Sequence, residues 1–190
     1  MEIKNCPVCN NSNFSNHIES KDFSVSKESF MIVKCDECNF HFTNPRPSDE
    51  DLGKYYISDH YISHNNTSRT FFEKVYQLVR KFATNGKFSL ISSFFSSGRI
   101  LDVGCGTGDF LNKCKSKNWE TKGTEPSKIA RDQAINNYNL DVEESTDLSQ
   151  LKGQFDIITM WHVLEHVPNL NENLVQFNQL LSEKGKIIIA

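Results

Sequence analysis

The sequence predicts an α/β protein, a mostly parallel sheet with flanking helices, preceded by a small cysteine-rich module. Three observations point there. From Arg99 onward short apolar runs alternate with amphipathic segments, the pattern of strands and crossover helices in a parallel sheet. The first run, Ile100-Leu101-Asp102-Val103, passes directly into the glycine turn Gly104-Cys105-Gly106-Thr107-Gly108. Four of the six cysteines form two pairs of equal spacing near the amino terminus, Cys6 with Cys9 and Cys35 with Cys38.

A chain of 190 residues allows one ordinary domain, or one plus a small one. With 21 Lys and Arg against 24 Asp and Glu, the net charge of -3 lacks the positive field that nucleic acid recruits, so nucleic acid is an unfavoured partner. No run approaches the roughly 20 apolar residues needed to cross a bilayer. The start, Met1-Glu2-Ile3-Lys4-Asn5-Cys6, has no apolar export segment. The expectation is a cytoplasmic chain with no membrane partner.

In such a chain, paired cysteines indicate metal before disulfide. Two intervening residues let one turn aim both thiolates at the same ion, and two such turns complete a tetrahedron. The knuckles Cys6-Pro7-Val8-Cys9-Asn10 and Cys35-Asp36-Glu37-Cys38-Asn39 each close on Asn, which tolerates the left-handed conformation. Alternation over residues 29–34 predicts a hairpin strand. Residues 1–48 are therefore expected to form a zinc-ribbon-like module in which Cys6, Cys9, Cys35 and Cys38 hold a structural zinc. A closed four-thiolate site leaves no position for water. Its binding energy would instead fold a segment too small for a sufficient core. Free buried thiols or a redox pair are the alternative, and His17 and His41 are expected to be surface or packing residues. Five basic and eight acidic residues in residues 1–50 oppose phosphate binding by the ribbon.

Pro45 and Pro47 end the ribbon, placing a boundary near residue 48. Residues 49–95 are expected to be a helical bridge. It opens with a short helix over residues 49–56 and a polar loop over residues 58–68. Tyr55, Tyr56 and Tyr61 there either pack the loop down or form a lid over substrate. A helix capped by Ser68 or Thr70 then runs to Asn85, with Phe71, Phe72, Val75, Tyr76, Leu78, Val79 and Phe82 facing the core and Gly86 ending it. A second short helix covers residues 88–95.

Glycines at the end of a strand let the backbone pass close to a ligand. Counting from Gly104, the sixth position is Asp109, where a dinucleotide fingerprint needs glycine and where a carboxylate would repel a pyrophosphate. The next strand, Thr121-Lys122-Gly123-Thr124-Glu125, ends in an acid where both ribose hydroxyls of a nucleoside can be accepted. Pro126-Ser127 starts a helix with Ile129, Ala130, Ala134 and Ile135 on its buried face. Asp141-Val142-Glu143 is the third strand. Phe155-Asp156-Ile157-Ile158-Thr159-Met160 is the fourth, running into Trp161-His162-Val163-Leu164-Glu165-His166-Val167-Pro168. A helix over residues 171–182 and a strand over residues 185–190 complete the chain.

The run from Asp102 to Gly108 resembles the first motif of class I S-adenosylmethionine-dependent methyltransferases, and the run from Trp161 to Pro168 resembles the segment after the fourth strand in many small-molecule members. The resemblance covers about residues 95–190. It implies a Rossmann-like S-adenosylmethionine-binding domain over residues 96–190, with Asp102, Gly104, Cys105, Gly106, Glu125, Asp147 and Met160 lining the cofactor site. Asp147 would serve adenine, with Thr146 or Leu148 as alternatives. The implied partner is a small-molecule methyl acceptor, methylated at oxygen or carbon, a sugar or another biosynthetic intermediate. The cysteine pairs and the Thr43-Asn44-Pro45-Arg46-Pro47 joint resemble a subgroup with an amino-terminal metal-binding module, of which sugar C-methyltransferases are one branch.

His162 is the candidate catalytic base, because imidazole exchanges protons in the neutral range. Glu165 and His166 either brace the loop or hold a divalent ion, as in similar quinone O-methyltransferases. His162-Val163-Leu164-Glu165-His166 also spells an inverted zinc-protease motif, which needs one continuous helix, whereas this segment leaves a buried strand and soon meets Pro168. Family members continue beyond a fifth strand, so the resemblance implies a truncated chain whose exposed edge strand invites self-association. Two other functions fit the motifs: a zinc-ribbon ribosomal-RNA methyltransferase, opposed by the acidic ribbon, and a noncatalytic adaptor with a residual cofactor fold.

Overall fold

A computed structural model describes residues 1–23, 25–48, 51, 55, 71–144, 148–167 and 169–190, with only the backbone described for residues 71–77. It divides into two compact units, Met1–Ser68 with Pro168–Asn171, and Arg69–Val167 with Glu172–Ala190.

In the first unit, β1 (Phe14–Lys21), β2 (Ser29–Cys35) and β3 (His41–Thr43) form an antiparallel sheet in that order. The alternation predicted for residues 29–34 is β2, the central strand, whose Val33 and Cys35 turn inward. The apolar packing is thin: among the described residues of this unit only Cys6, Val33 and Cys35 are buried hydrophobics. The amino terminus is strapped to the joint after β3. The Ile3 N–H donates to Asn44 Oδ1 at 2.8 Å and the Asn44 amide returns a bond to the Ile3 carbonyl at 3.0 Å.

The second unit runs α1 (Phe71–Ser92), β4 (Arg99–Val103), α2 (Asp109–Lys115), β5 (Glu120–Thr124), α3 (Lys128–Tyr138), β6 (Val142–Glu143), β7 (Phe155–Met160), α4 (Leu170–Leu180) and β8 (Leu181–Ile189). Its strands form one parallel sheet in the order β6-β5-β4-β7-β8. Both faces are covered, which explains why β4 and β7 are near-continuous apolar runs. Side chains still alternate. Ile100 and Ile157 pack with Ile91 of α1 and with Phe110 and Leu111 of α2, while Leu101, Ile158 and Met160 pack with Phe177 and Leu180 of α4.

Four local expectations are corrected. Gly86 does not end a helix: α1 runs through it as one element to Ser92. Glycine there costs about 1 kcal/mol of helix propensity, and the burial of Ile91 with the packing of Phe88 on the core outweighs it. Leu78, Val79 and Phe82 are exposed rather than core-facing. On α3 the buried face is Ala130, Arg131 and Ala134, with Ile129 outside. Arg131 is tolerated there because its guanidinium donates to the Glu125 carbonyl at 2.6 Å and to Glu144 at 3.0 Å. Finally, α4 stops at Leu180 and β8 begins at once. Its pairing with β7 steps from Leu181 opposite Phe155 to Lys186 opposite Ile157, so residues 182–185 loop out of register. Among the described residues no helix is long and apolar enough to cross a membrane.

Candidate functional site

The sheet order dictates where a ligand can enter. After β4 the chain lays β5 and β6 to one side, then returns to lay β7 and β8 on the other. The strand order therefore reverses between β4 and β7, and beyond the carboxyl ends at such a switch point is where open α/β sheets bind ligands. The glycine turn lies there. Gly104, Gly106 and Gly108 all have left-handed backbones, with φ of 69°, 55° and 81°.

The three differ in what surrounds them. A Cβ on Gly108 would stand 2.6 Å from Leu140 Cδ1 and 2.8 Å from Ala134 Cβ, so this glycine seats the turn against α3. One on Gly104 would stand 2.6 Å from Val163, in the segment after β7. One on Gly106 would meet nothing within 4 Å. Gly106 thus forms the open side of the turn, where a ligand can lie directly on the backbone. Cys105 between them is buried, which pushes its thiol up and keeps it protonated.

Two carboxylates flank this opening. Asp102 sits on β4 opposite Gly123 of β5 and Thr159 of β7 and is only 2% exposed. Thr159 Oγ1 donates to Asp102 Oδ1 at 2.6 Å. Burial pushes the Asp102 carboxyl up to about 7, against the lowering influence of the Thr159 bond and the Lys87 charge, with Glu125 adding to the rise. Glu125 follows β5, is also buried, and is pinned by backbone donors: the Gly106 N–H at 2.8 Å and the Ser127 N–H at 2.9 Å.

The structure thus brings Asp102, Gly104, Cys105, Gly106 and Glu125 together at adjoining strand tips. Met160 lies at the tip of β7, but its side chain is fully buried on the α4 face and its carbonyl accepts the Ala190 N–H at 3.0 Å. Asp147 and Thr146 lie outside the described residues, and Leu148 is buried in the core beside Leu101. His162 is exposed just past β7 in a left-handed conformation, φ 59°, with its backbone N–H on the Ala190 carbonyl. Leu164–His166 is a single 3₁₀ turn rather than a continuous α-helix, so the protease motif lacks its setting. Its exposed Glu165 and His166 approach to 3.9 Å. Tyr55 packs on Phe30 and donates to Glu28 at 2.7 Å within the first unit; Tyr56, Tyr61 and the loop over residues 58–68 lie outside the described residues.

Arg80, Tyr138 and Lys87 escape a sequence reading. Arg80 of α1 donates to Thr107 Oγ1 at 2.5 Å and pairs with Asp109, which also accepts from the Tyr138 hydroxyl at 2.9 Å. Asp109 is therefore a compensated carboxylate, and the repulsion expected of it is weaker than its position in the motif implies. Lys87 of α1 stands 4.6 Å over the Trp161 ring. These contacts join helix and loop positions far apart in sequence, and no local pattern marks them.

In the first unit the four cysteine sulfurs lie within 4.8 Å of one another, with Cys6 and Cys38 at 3.6 Å and Cys9 and Cys35 at 3.5 Å. Tetrahedral thiolates at about 2.3 Å from an ion stand roughly 3.8 Å apart, so these residues fit a metal. Asn10 and Asn39 close the knuckles with φ of 63° and 59°, as the sequence predicts. Backbone N–H groups of Cys38 and Glu37 bring the Cys35 thiol down to about 7, while desolvation and the neighbouring thiols push the Cys38 thiol up. Among the described residues this is the only group of three or more such side chains placed to hold a metal.

Residues 64–190 match the family model described as a methyltransferase domain, and the chain belongs to that family. It is 27% identical over 105 residues to the mitochondrial ubiquinone biosynthesis O-methyltransferase of Schizosaccharomyces pombe, covering 50% of this chain and 38% of that protein. It is 30% identical over 103 residues to the ubiquinone biosynthesis O-methyltransferase of Erwinia tasmaniensis, covering 48% and 41%. The chain spans about two fifths of the length of these curated relatives. Among solved structures, magnesium protoporphyrin IX methyltransferase from Synechocystis PCC 6803 with bound SAM superposes with a TM-score of 0.53 over 77% of both chains at 16% identity, a likeness of fold.

The unequal surroundings of the glycines predict unequal costs. Gly106→Ala should lose about 1 kcal/mol, the cost of a left-handed backbone alone. Gly108→Ala should lose about 2–4 kcal/mol, because overpacking adds to it. Denaturant unfolding measures both, and equal losses would show that Gly106 does not face open space.

Proposed function

We propose that the second unit binds S-adenosylmethionine at the tips of β4, β5 and β7 and that the protein transfers its methyl group to an oxygen or carbon of a small-molecule acceptor. One observation carries this: two buried carboxylates, Asp102 and Glu125, flank a left-handed glycine with open space above it, at the point where the sheet order reverses. A nucleoside that carries an amino acid through a 5′ sulfur presents an ammonium and a ribose diol. Those groups match a desolvated carboxyl and a fixed acceptor. The names of the curated relatives, which specify an O-methyltransferase of ubiquinone biosynthesis, support a small-molecule acceptor.

When bound, the cofactor supplies a methyl carbon on a sulfonium, already an excellent leaving group. The protein's task is then alignment and preparation of the nucleophile. Asp102 holds the ammonium, Glu125 accepts the ribose hydroxyls, and Gly104, Cys105 and Gly106 present a backbone that can be approached closely. Asp147 serves adenine, and Met160 contributes backbone at the β7 tip. His162, exposed beside that tip, takes the proton from the acceptor hydroxyl or enolisable carbon. The four cysteines hold a structural zinc. A closed thiolate set leaves no place for a reacting ligand, so its part is to fold the thinly packed first unit.

The activity is tested by incubating the protein with methyl-labelled S-adenosylmethionine and a pooled small-molecule extract. Label should enter a small product with the native chain and not with Glu125→Ala, whose calorimetric affinity for S-adenosylhomocysteine should fall at least about tenfold through lost charge-assisted hydrogen bonds. Native protein that binds the cofactor yet labels nothing would contradict the enzymatic reading.

Cofactor binding should depend on pH with a defined sign. The groups bearing on Asp102 are Thr159 and Lys87, which favour its ionised form, and Glu125, which opposes it. Because the free carboxyl titrates at about 7, a bound ammonium must displace a proton below that pH. Affinity for S-adenosylhomocysteine should fall from about pH 8 to about pH 6, by up to roughly tenfold per unit. Asp102→Asn should flatten the profile, and a flat native profile would remove Asp102 from the site.

Chelation should release zinc and expose β2 and β3 amides to hydrogen exchange while β4 and β7 stay protected. Simultaneous exposure of both sheets would contradict a purely local structural role.

A further inference from the structure

Arg131 lies on the buried face of α3, 8% exposed, and its guanidinium reaches back to two other segments. One nitrogen, Nη1, donates to the Glu125 carbonyl at 2.6 Å and to the Pro126 carbonyl at 3.2 Å. The other, Nη2, donates to the Glu144 carboxylate at 3.0 Å. Glu144 directly follows β6, and its side chain is 79% exposed. The Glu125 N–H meanwhile donates to the Glu143 carbonyl at 2.9 Å. The guanidinium therefore closes a ring of bonds around Glu125 that joins the end of β5, the end of β6 and the first turn of α3.

Stability alone does not account for a cation at this position. Replacing a buried charged side chain and its pairing by apolar packing of similar volume is often neutral or stabilising. What the guanidinium fixes is a peptide that lacks its own donor. Pro126 has no N–H, so the Glu125–Pro126 peptide can be held only through its carbonyl. Arg131 takes that carbonyl and thereby sets the direction in which the chain leaves Glu125. The Glu125 carboxylate depends on that direction, since one of its two backbone donors, the Ser127 N–H, lies two residues on. A planar fork suits the task, because its two nitrogens serve carbonyls and carboxylate at once where a single ammonium cannot.

We propose that Arg131 is a positioning residue for ribose recognition: by bridging the Glu125 and Pro126 carbonyls to Glu144, it holds the Glu125 carboxylate where a vicinal diol can donate both hydroxyls to it. Arg131 acts through Glu125 and not on the ligand. This assignment rests on the cofactor reading above and makes the start of α3 the support of the ribose site. It also ties the protein's preference for a ribonucleoside to a side chain that faces away from the ligand.

The test compares S-adenosylhomocysteine with its 2′,3′-dideoxy counterpart, which keeps the base, thioether and amino acid and lacks the diol. Calorimetry is run on the full native chain, Arg131→Met, Arg131→Lys and Glu144→Ala. The native chain should prefer S-adenosylhomocysteine by about a hundredfold, for two hydrogen bonds to a carboxylate. Arg131→Met should lower that preference about tenfold or more, by weakening S-adenosylhomocysteine while the dideoxy affinity stays within about twofold. Arg131→Lys should recover only part of the preference, since one nitrogen cannot serve both sides of the bridge. Glu144→Ala, a change at a side chain mostly in water, should lower it by about two- to fivefold. Equal weakening of both ligands in Arg131→Met would mark a merely structural residue and overturn the proposal. Full recovery in Arg131→Lys, or an unchanged preference in Glu144→Ala, would overturn the bridge. A native chain that binds both ligands equally would remove Glu125 from the ribose and Arg131 with it, and one that binds neither would instead sink the cofactor reading itself.

Discussion

The site depends on a carboxyl held almost out of water. Asp102 is the penultimate residue of the central strand, between β5 and β7, where a parallel sheet covered on both faces leaves it 2% exposed. Such a group is a net cost to the fold. The Thr159 hydroxyl and the Lys87 charge offset only part of it, since the carboxyl still titrates near neutral pH. Polar groups kept at a loss to the fold are found where a ligand completes them. Asp102 also lies one residue short of the glycine turn, so its burial and the turn's open face belong to one construction.

Around that carboxyl, backbone and side chain hold each other. Gly106 cannot move without releasing Glu125, whose carboxylate accepts its N–H, and Glu125 in turn is fixed by Ser127 at the start of α3. Gly108 is locked against α3 by the lack of room for a side chain. Arg80 ties the same turn to α1 through Thr107 and Asp109. The turn is therefore anchored from two helices and one strand end, leaving the surface over Gly106 free. A preorganised cradle of this kind loses little entropy on binding.

Much of this was legible in the sequence because the physics is local. Apolar runs marked β4 and β7, the glycine turn followed its strand directly, and Glu125 fell one residue past β5. The knuckle asparagines disclosed two left-handed positions, and the cysteine spacing disclosed the sulfur cluster. What stayed hidden depends on tertiary contact. Gly86 is a helix breaker by propensity, yet packing carries α1 through it. Arg131 is an exposed residue by type, yet carbonyls that only the fold brings near make it a buried one. Lys87 and Trp161 are ordinary letters in their own segments, and their meeting is set by how α1 lies on the sheet. Met160 reached the expected strand tip with its side chain turned to the opposite face, a consequence of strand alternation.

The two units divide the chemistry between them. The first has little apolar packing and a sulfur cluster fit for an ion, and the second has a full two-faced core and the polar crevice. The most direct measurement is a crystal structure of the chain with S-adenosylhomocysteine. The account predicts the homocysteine nitrogen within hydrogen-bond reach of Asp102, the ribose hydroxyls on Glu125, and the ligand passing over Gly106. A nucleoside bound elsewhere, or a crevice closed by side chains at saturating ligand, would contradict it.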